Sequence, residues 1–487
     1  MTGKLNRRFF TLAMAALAVV TVSACSAASA TPTAAPAAAT NAPTAAAAGT
    51  AAPAATDTHK PVSITVGVLR PGATQEASDA LNLQISEFEA KYPWVTVVPN
   101  EYNWTAPTFT AQLAGGTLPT VFNIPFTDGK GLIAQHQIVN IDSRVRALGY
   151  ADKFNPNVLV NGQDTDGKIY AVPITAYGMS LTYNRTLFTQ AGLDPNNPPT
   201  TWDEVKADAK IIATKTGVAG FAQMATQNTG GWQLTTMTYA LGGRMETVDA
   251  KTGKVTATVN NSYTKAALSY LQGLRWTDNS MGSTFDYNWG SINQDFAAGQ
   301  IGMFTGGSDL YTAMVQNDDL KAADYGITTI PLASDPNAGV LGGGNLVAVN
   351  VLSTEAQRDA AVNFIDFYYV NKLRTQDGAV ADAQALKANN QPVGVPSLPI
   401  FDKATADQVT TWIHDYINVP TSQMTPFTSK INTQPLVTEP RYNTQDLYAA
   451  LDPVVQAVLT DKNANIGALL DAANVKIQKI IDTPAAS

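Results

Sequence analysis

The chain changes hydrophobic period twice between residues 62 and 98, and this limits its fold more than any other feature. "VSITVGVL", residues 62–69, alternates β-branched side chains and predicts a strand. Leu81, Ile85 and Phe88 recur at helical spacing on one face and predict a helix. "WVTVV", residues 94–98, returns to strand character. Strand, helix and strand in so short a span join parallel strands through a helical crossover, so helices must pack on a sheet.

The same reading continues along the chain. "VFNIPF" predicts a third short strand, followed by a helix over 130–137. In "PPTTWDEVKADAKIIA", Thr201 and Glu204 have capping-box spacing, the hydroxyl and the carboxylate each satisfying a free backbone N–H. Trp202, Val205, Ala209 and Ile212 form the apolar face behind that cap. Residues 263–276 and 354–369 predict amphipathic helices, and "YGITTIPL" and "LVAVNVL" predict strands. From about Gly378 the chain reads as mainly helical with Pro-rich breaks.

Lys4, Arg7 and Arg8 precede an apolar run at 9–22, and Ser23 and Ala24 lead into Cys25, the only cysteine in 487 residues. This is the charged, apolar, small-residue order of an export signal, and the run is short of the ~20 residues a membrane-spanning helix needs. "VSAC" also resembles the lipobox of bacterial lipoproteins. That resemblance implies a signal peptide over 1–24, acylation of the Cys25 thiol and anchoring of the exported protein to a membrane. The other reading of Cys25 is a small residue in an ordinary cleavage region. "NRRFFTL" is loosely similar to a twin-arginine signal, although basic pairs also occur in ordinary signals. Residues 26–58 are almost entirely Ala, Thr, Pro and Ser. They lack the large apolar groups that offset ordering entropy, and their prolines interrupt an Ala-rich helix, so 25–59 is expected to be a lipidated tether.

With Cys25 modified, no thiol remains for disulfides, so the exported body must be stable through its core. About 430 residues follow the tether, enough for two domains. The net charge of −8 argues against nucleic acid or an anionic membrane surface as partner.

Four stretches, in order, resemble the family 1 extracellular solute-binding proteins of ABC importers, the group containing maltose-binding protein. They are "FTAQLAGGTLPTVFNIPF", "DGKIYAVPITAYGMSLTYNRTLFTQAGLDPNNPPTTWDEVKADAKII", "FAAGQIGMFTGGSDL" and "GGGNLVAVNVLSTEAQRDAAVNFIDFYY". The chain departs from the family at Pro119-Thr120, where Pro-Asp is usual, and a strand-end hydrogen bond is expected to differ there. The resemblance implies an α/β periplasmic-binding-protein fold of type II, with two hinge-linked lobes of mixed sheets flanked by helices. It places an N-lobe at 60–177 and 328–375 and a C-lobe at 178–327 and 376–487, with crossings near 174–180 and 325–332. It implies a monomeric receptor outside the cytoplasm, without cofactor or metal, that closes on a carbohydrate and is recognised by permease subunits.

A sugar presents hydroxyls at its rim and a C–H-rich face, so its site needs aromatic plates and hydrogen-bonding side chains. Trp94, Trp202, Trp276 and Trp412 sit in strand or helix patterns and read as packing. Trp104, Trp232 and Trp289 sit in polar or Gly-rich loops, where ligand contact and structure compete evenly. Tyr177 follows the first crossing, where the family commonly places a cleft aromatic. Asp128, just after the third strand, is the favoured polar partner. Gly306, Gly307 and Ser308, and the "GGGN" loop with Gly343, Gly344 and Asn345, would let backbone N–H groups approach a ligand, unless they are simply turns. Arg441 and Tyr442 lie where the family often closes its cleft.

A glycoside hydrolase would need two carboxylates at a set separation, and no motif singles out a pair. No nucleophile elbow, P-loop or histidine cluster occurs. Tyr368 and Tyr369 suggest an iron receptor, but Tyr368 continues the apolar face of Phe364 and Ile365. A binding protein for another small solute, or a sensor subunit that signals without transport, remains an open alternative. Replacing Cys25 with Ser is expected to move the protein from the membrane to the soluble fraction with ligand binding intact; membrane retention of C25S in a fractionation would end the anchor reading.

Overall fold

The computed structural model of the protein describes residues 60–73, 75–249, 251–440 and 443–483. The expected signal peptide, Cys25 and the tether lie outside the described residues. β1 (Val62–Leu69), helix α1 (Gln75–Lys91) and β2 (Val95–Glu101) form the expected unit, with β1 and β2 parallel from Val62↔Val95 onward. Leu81, Ile85 and Phe88 bury the inner face of α1. The Phe88 ring meets Phe364 edge-on at 5.3 Å, in a helix (Glu355–Ile365) started by a Thr354/Gln357 capping box.

The remaining strands are β3 (Val121–Pro125), β4 (Ala171–Asn184), β5 (Ala219–Phe221), β6 (Glu246–Val248), β7 (Val255–Ala257), β8 (Ile301–Gly307), β9 (Tyr325–Thr329), β10 (Val340–Val349) and β11 (Leu436–Thr438). The main sheet runs β2-β1-β3-β10-β4-β8-β5, with β11 on β10 and β9 on β4. Only part of it is parallel. β10 lies antiparallel to both β3 and β4, which makes the sheet mixed.

β4 is the long element of the sheet, at 14 residues. Its first half, to Gly178, pairs with β10, and from Met179 it pairs with β8 at Gly307. β9 takes its other edge, from Ser180↔Thr329 to Asn184↔Tyr325. One continuous backbone therefore belongs to two strand sets. At ~3.3 Å per residue it spans about 45 Å.

The capping box at Thr201 and Glu204 forms as its spacing predicts, and Val205, Ala209 and Ile212 are buried behind it. Trp276 departs from the packing expectation. It is 39% exposed and donates its indole N–H to Val458 O at 2.9 Å. The expected domain boundary at 376 also falls inside a packed region. Helix Gln376–Ala388 is followed by Phe401, which stacks on Phe154 at 4.6 Å, while Asn155 N donates to Ile400 O and Asp402 N to Lys153 O. The chain returns to the β9 side later, where Gln434 Nε2 donates to Ile330 O at 2.9 Å.

The Pro119-Thr120 departure has a visible consequence. Thr65 N donates to Thr120 Oγ1 at 3.1 Å and Thr120 N donates to Thr65 Oγ1 at 2.8 Å, so two threonines exchange backbone and hydroxyl groups across the β1–β3 end. Thr120→Val leaves the Thr65 N–H without this acceptor in a partly buried place. It is expected to cost about 1–2 kcal/mol in a urea titration, whereas Thr120→Ser, which keeps the hydroxyl, should cost less than half of that.

Candidate functional site

Trp104 and Asp128 meet because two connections are short. Trp104 lies in the loop between β2 and helix α2 (Ala106–Ala114). Asp128 lies in the first turn of helix α3 (Phe126–Ala134), which follows β3 directly, with Pro125 as its N-cap at φ −68°. The helix thus begins earlier than the 130–137 expectation, and Asp128 is helical rather than in a loop. Trp104 Nε1 donates to Asp128 Oδ2 at 2.8 Å, and Thr127 Oγ1 donates to Oδ1 at 3.3 Å. Burial pushes the Asp128 carboxyl up to about 6, against the pull of those two donors.

Both residues line a cavity of about 950 Å³. One wall comes from α2, α3 and residues 350–352. The other comes from the start of helix Thr444–Thr460 and the end of helix Ile466–Asp482. Arg441 and Tyr442 lie outside the described residues; Asn443, Thr444, Gln445 and Asp446, which follow them, line the cavity.

A second group gathers where β4 changes partners. The Tyr177 ring stands at 81° to Trp232 with centroids 6.3 Å apart. Trp232 is not in a loop but inside helix Thr229–Leu241, and half-buried. Gly306 and Gly307 are strand residues of β8, and Gly343, Gly344 and Asn345 are strand residues of β10, so the expected loops are replaced by ladder. Their glycines serve close packing. A Cβ at Gly343 would collide with Tyr177 Oη, one at Gly307 would lie 3.1 Å from the Tyr177 ring, and one at Gly344 would collide with Thr175 O. Ser308 is fully buried, its N–H on Gly178 O. Asn345 is exposed and donates to Thr175 Oγ1 at 3.0 Å. Trp289 starts helix Trp289–Ala297, is 40% exposed, and stands outside the cavity lining.

Two acids that the sequence reading passed over complete this group. Glu439 accepts from Tyr448 Oη at 3.0 Å, and burial, then the charge of Asp128, raise its carboxyl to about 8. Burial lifts Asp309, beside Gly307, to about 6. Burial and the charges of Glu439 and Asp309 raise the Tyr177 phenol well above its ordinary value. Glu439 sits two residues before Arg441 in "EPRYN", the one sequence signal that pointed near it.

A family model described as bacterial extracellular solute-binding protein matches residues 84–386. The chain belongs to the bacterial extracellular solute-binding proteins. Members of that family are solute-binding proteins rather than enzymes, and the family acts outside the cytoplasm. The sn-glycerol-3-phosphate-binding periplasmic protein UgpB of Brucella abortus is 28% identical over 172 residues, 33% of this chain and 40% of that protein. The chain thus spans under half the length of the relatives it matches. Among solved structures, the cyclic alpha-maltosyl-1,6-maltose binding protein of Arthrobacter globiformis aligns at a TM-score of 0.64 and 22% identity, covering 86% of this chain and 99% of that one. UgpB of Mycobacterium tuberculosis, in complex with glycerophosphocholine, aligns at 0.66 and 18%, covering 87% and 99%. These likenesses show the fold, that of the maltose-binding-protein-like periplasmic binding proteins. Among the described residues no helix is long and apolar enough to cross a membrane.

The raised acids give the solute-binding fold a pH signature. A carboxyl raised on folding holds more protons in the native than in the unfolded state between its ordinary and its raised value, so stability falls as pH rises through that window. For Glu439 the window runs from its ordinary 4.5 to about 8. The thermal midpoint is expected to decline from pH 5 to pH 8, and Glu439→Gln should flatten that decline when melting is followed by circular dichroism.

Proposed function

We propose that this chain is the substrate-binding lipoprotein of an ABC importer, capturing a carbohydrate between two lobes and delivering it to membrane permease subunits. The observation that carries the reading is the Trp104–Asp128 pair at a cavity of about 950 Å³ walled from both ends of the chain. An indole and a hydrogen-bonded carboxyl side by side offer a plate for a sugar face and an acceptor for its hydroxyls. The volume lies within the range of small-molecule sites and suits a di- or oligosaccharide. The Arthrobacter protein's name, a cyclic maltosyl-maltose binder, supports that class.

Motion follows from β4. We assign one lobe to 60–178 and about 330–416 and the other to 179–329 and about 417–487, later than the 376 boundary because 376–402 pack on 150–155. The crossings are the middle of β4, the β9–β10 connection and the stretch near 416–417, so hinge closure bends strands at the partner change. A ligand touching both walls favours the closed population through its differential affinity for that state. We further propose that the protein acts as a monomer outside the cytoplasm, and that acylated Cys25 with its tether keeps it near the permease. One acyl chain gives only marginal anchoring, so several chains on one N-terminus are required.

A phosphoester is the runner-up, since the Brucella relative is named for glycerol 3-phosphate. Its charge would meet Asp128 and Asp446 in the cavity lining, which favour hydroxyl donors over an anion. The reading is tested by titrating the protein with maltose, trehalose, maltotriose and glycerol 3-phosphate, following tryptophan fluorescence and thermal shift. A sugar is expected to bind with micromolar affinity, about −8 kcal/mol, and Trp104→Ala should weaken it at least tenfold. A response to glycerol 3-phosphate alone would reject the carbohydrate, and consumption of the sugar during incubation would establish an enzyme.

A further inference from the structure

Side chains far apart in sequence form one polar path through the candidate site. Trp104 Nε1 and Thr127 Oγ1 donate to the two oxygens of Asp128. With its proton directed to Asp128, the Thr127 hydroxyl still has lone pairs, and Gln445 Nε2 donates to them at 3.3 Å. Gln445 Oε1 accepts from Asn228 Nδ2 at 3.1 Å. Asn228 is itself fixed, because its backbone N–H donates to Asp452 Oδ2 at 2.7 Å while Gly231 N–H donates to Oδ1 at 2.9 Å.

The path crosses the cavity. Trp104, Thr127 and Asp128 stand on the wall built on β1–β3. Asn228 stands at the N-cap of helix Thr229–Leu241 and Asp452 belongs to helix Thr444–Thr460, and the two helices pack together on the other side. Gln445 lines the cavity between them, one residue into its helix. Its amide is suited to this place, because it donates in one direction and accepts in the other without adding charge beside Asp128 and Asp446.

We infer that Gln445 is a positioning residue that couples closure of the body over the cavity to the orientation of the Asp128 carboxyl. With the walls together, the Gln445 amide holds the Thr127 hydroxyl turned toward Asp128, and Asp128 in turn presents itself beside Trp104. When the walls part, the Thr127–Gln445 bond is the link that breaks, and the carboxyl loses a support. This rests on the reading of the cavity as the ligand site, but the coupling is measurable without any ligand.

The experiment is amide hydrogen exchange by mass spectrometry on the whole protein without added sugar, comparing wild type, Thr127→Val, Gln445→Ala and the double variant. Thr127→Val keeps the shape and removes the hydroxyl. Through Gln445 it should raise exchange at 228–234, beyond Gln445, about fivefold, the factor for one hydrogen bond of ~1 kcal/mol. Gln445→Ala should raise exchange at both 126–134 and 228–234, and the double variant should add nothing further. A Thr127→Val effect confined to 126–134, or additive effects in the double variant, overturns the inference. Gln445→Glu guards against a variant that fails to fold. It keeps the acceptor for Asn228 but cannot donate to Thr127, so, like Thr127→Val, it should raise exchange at both 126–134 and 228–234; a rise at only one of the two segments, or at neither, also overturns the inference. Coupling with no sugar response in the titration would leave this inference standing and remove the carbohydrate reading; a sugar response without coupling would do the reverse.

Discussion

One strand shared between two ladders is the constraint on which the rest of the structure depends. β4 gives its first half to β10 and its second half to β8 and β9, with the change between Gly178 and Met179. Breaking either ladder would cost a row of backbone hydrogen bonds, so β4 ties the two strand sets together. Glycines crowd this point. Gly307 and Gly343 leave room for the Tyr177 ring, while a Cβ at Gly306 would collide with Leu310 and one at Gly344 with Thr175 O.

The same convergence sets the electrostatics. Glu439, Asp309 and Asp128 are each half-buried, and burial is the largest cause of their raised values. The protein places carboxyl groups where their charged form is disfavoured, which leaves them available to neutral partners. An anion added beside them would meet an environment already reluctant to hold negative charge.

Local patterns were legible wherever one element decides its own structure. The Thr201/Glu204 box and the Leu81, Ile85, Phe88 face needed nothing beyond spacing, and both formed as read. The "GGGN" stretch was misread because glycine clusters usually mark turns. Here they mark close approach of neighbouring strands, which depends on partners 170 residues away, as the Asn345–Thr175 contact illustrates. Trp232 was taken for a loop residue for the same reason, since "TGG" opens a helix that is covered almost all round. Asp128 and Trp104 were legible as single candidates, but their contact was not. Glu439 and Gln445 owe their places to a chain return after residue 416, and no periodicity in the sequence announces it.

The direct passage from β3 into α3 carries a consequence for how this protein can change over time. With Pro125 ending the strand and capping the helix, there is no connecting loop to absorb an added or lost residue. One residue inserted there would turn α3 by about 100° about its axis and carry Asp128 off the face that meets Trp104. Descendants of this chain must therefore keep the length of the joint between Ile124 and Phe126.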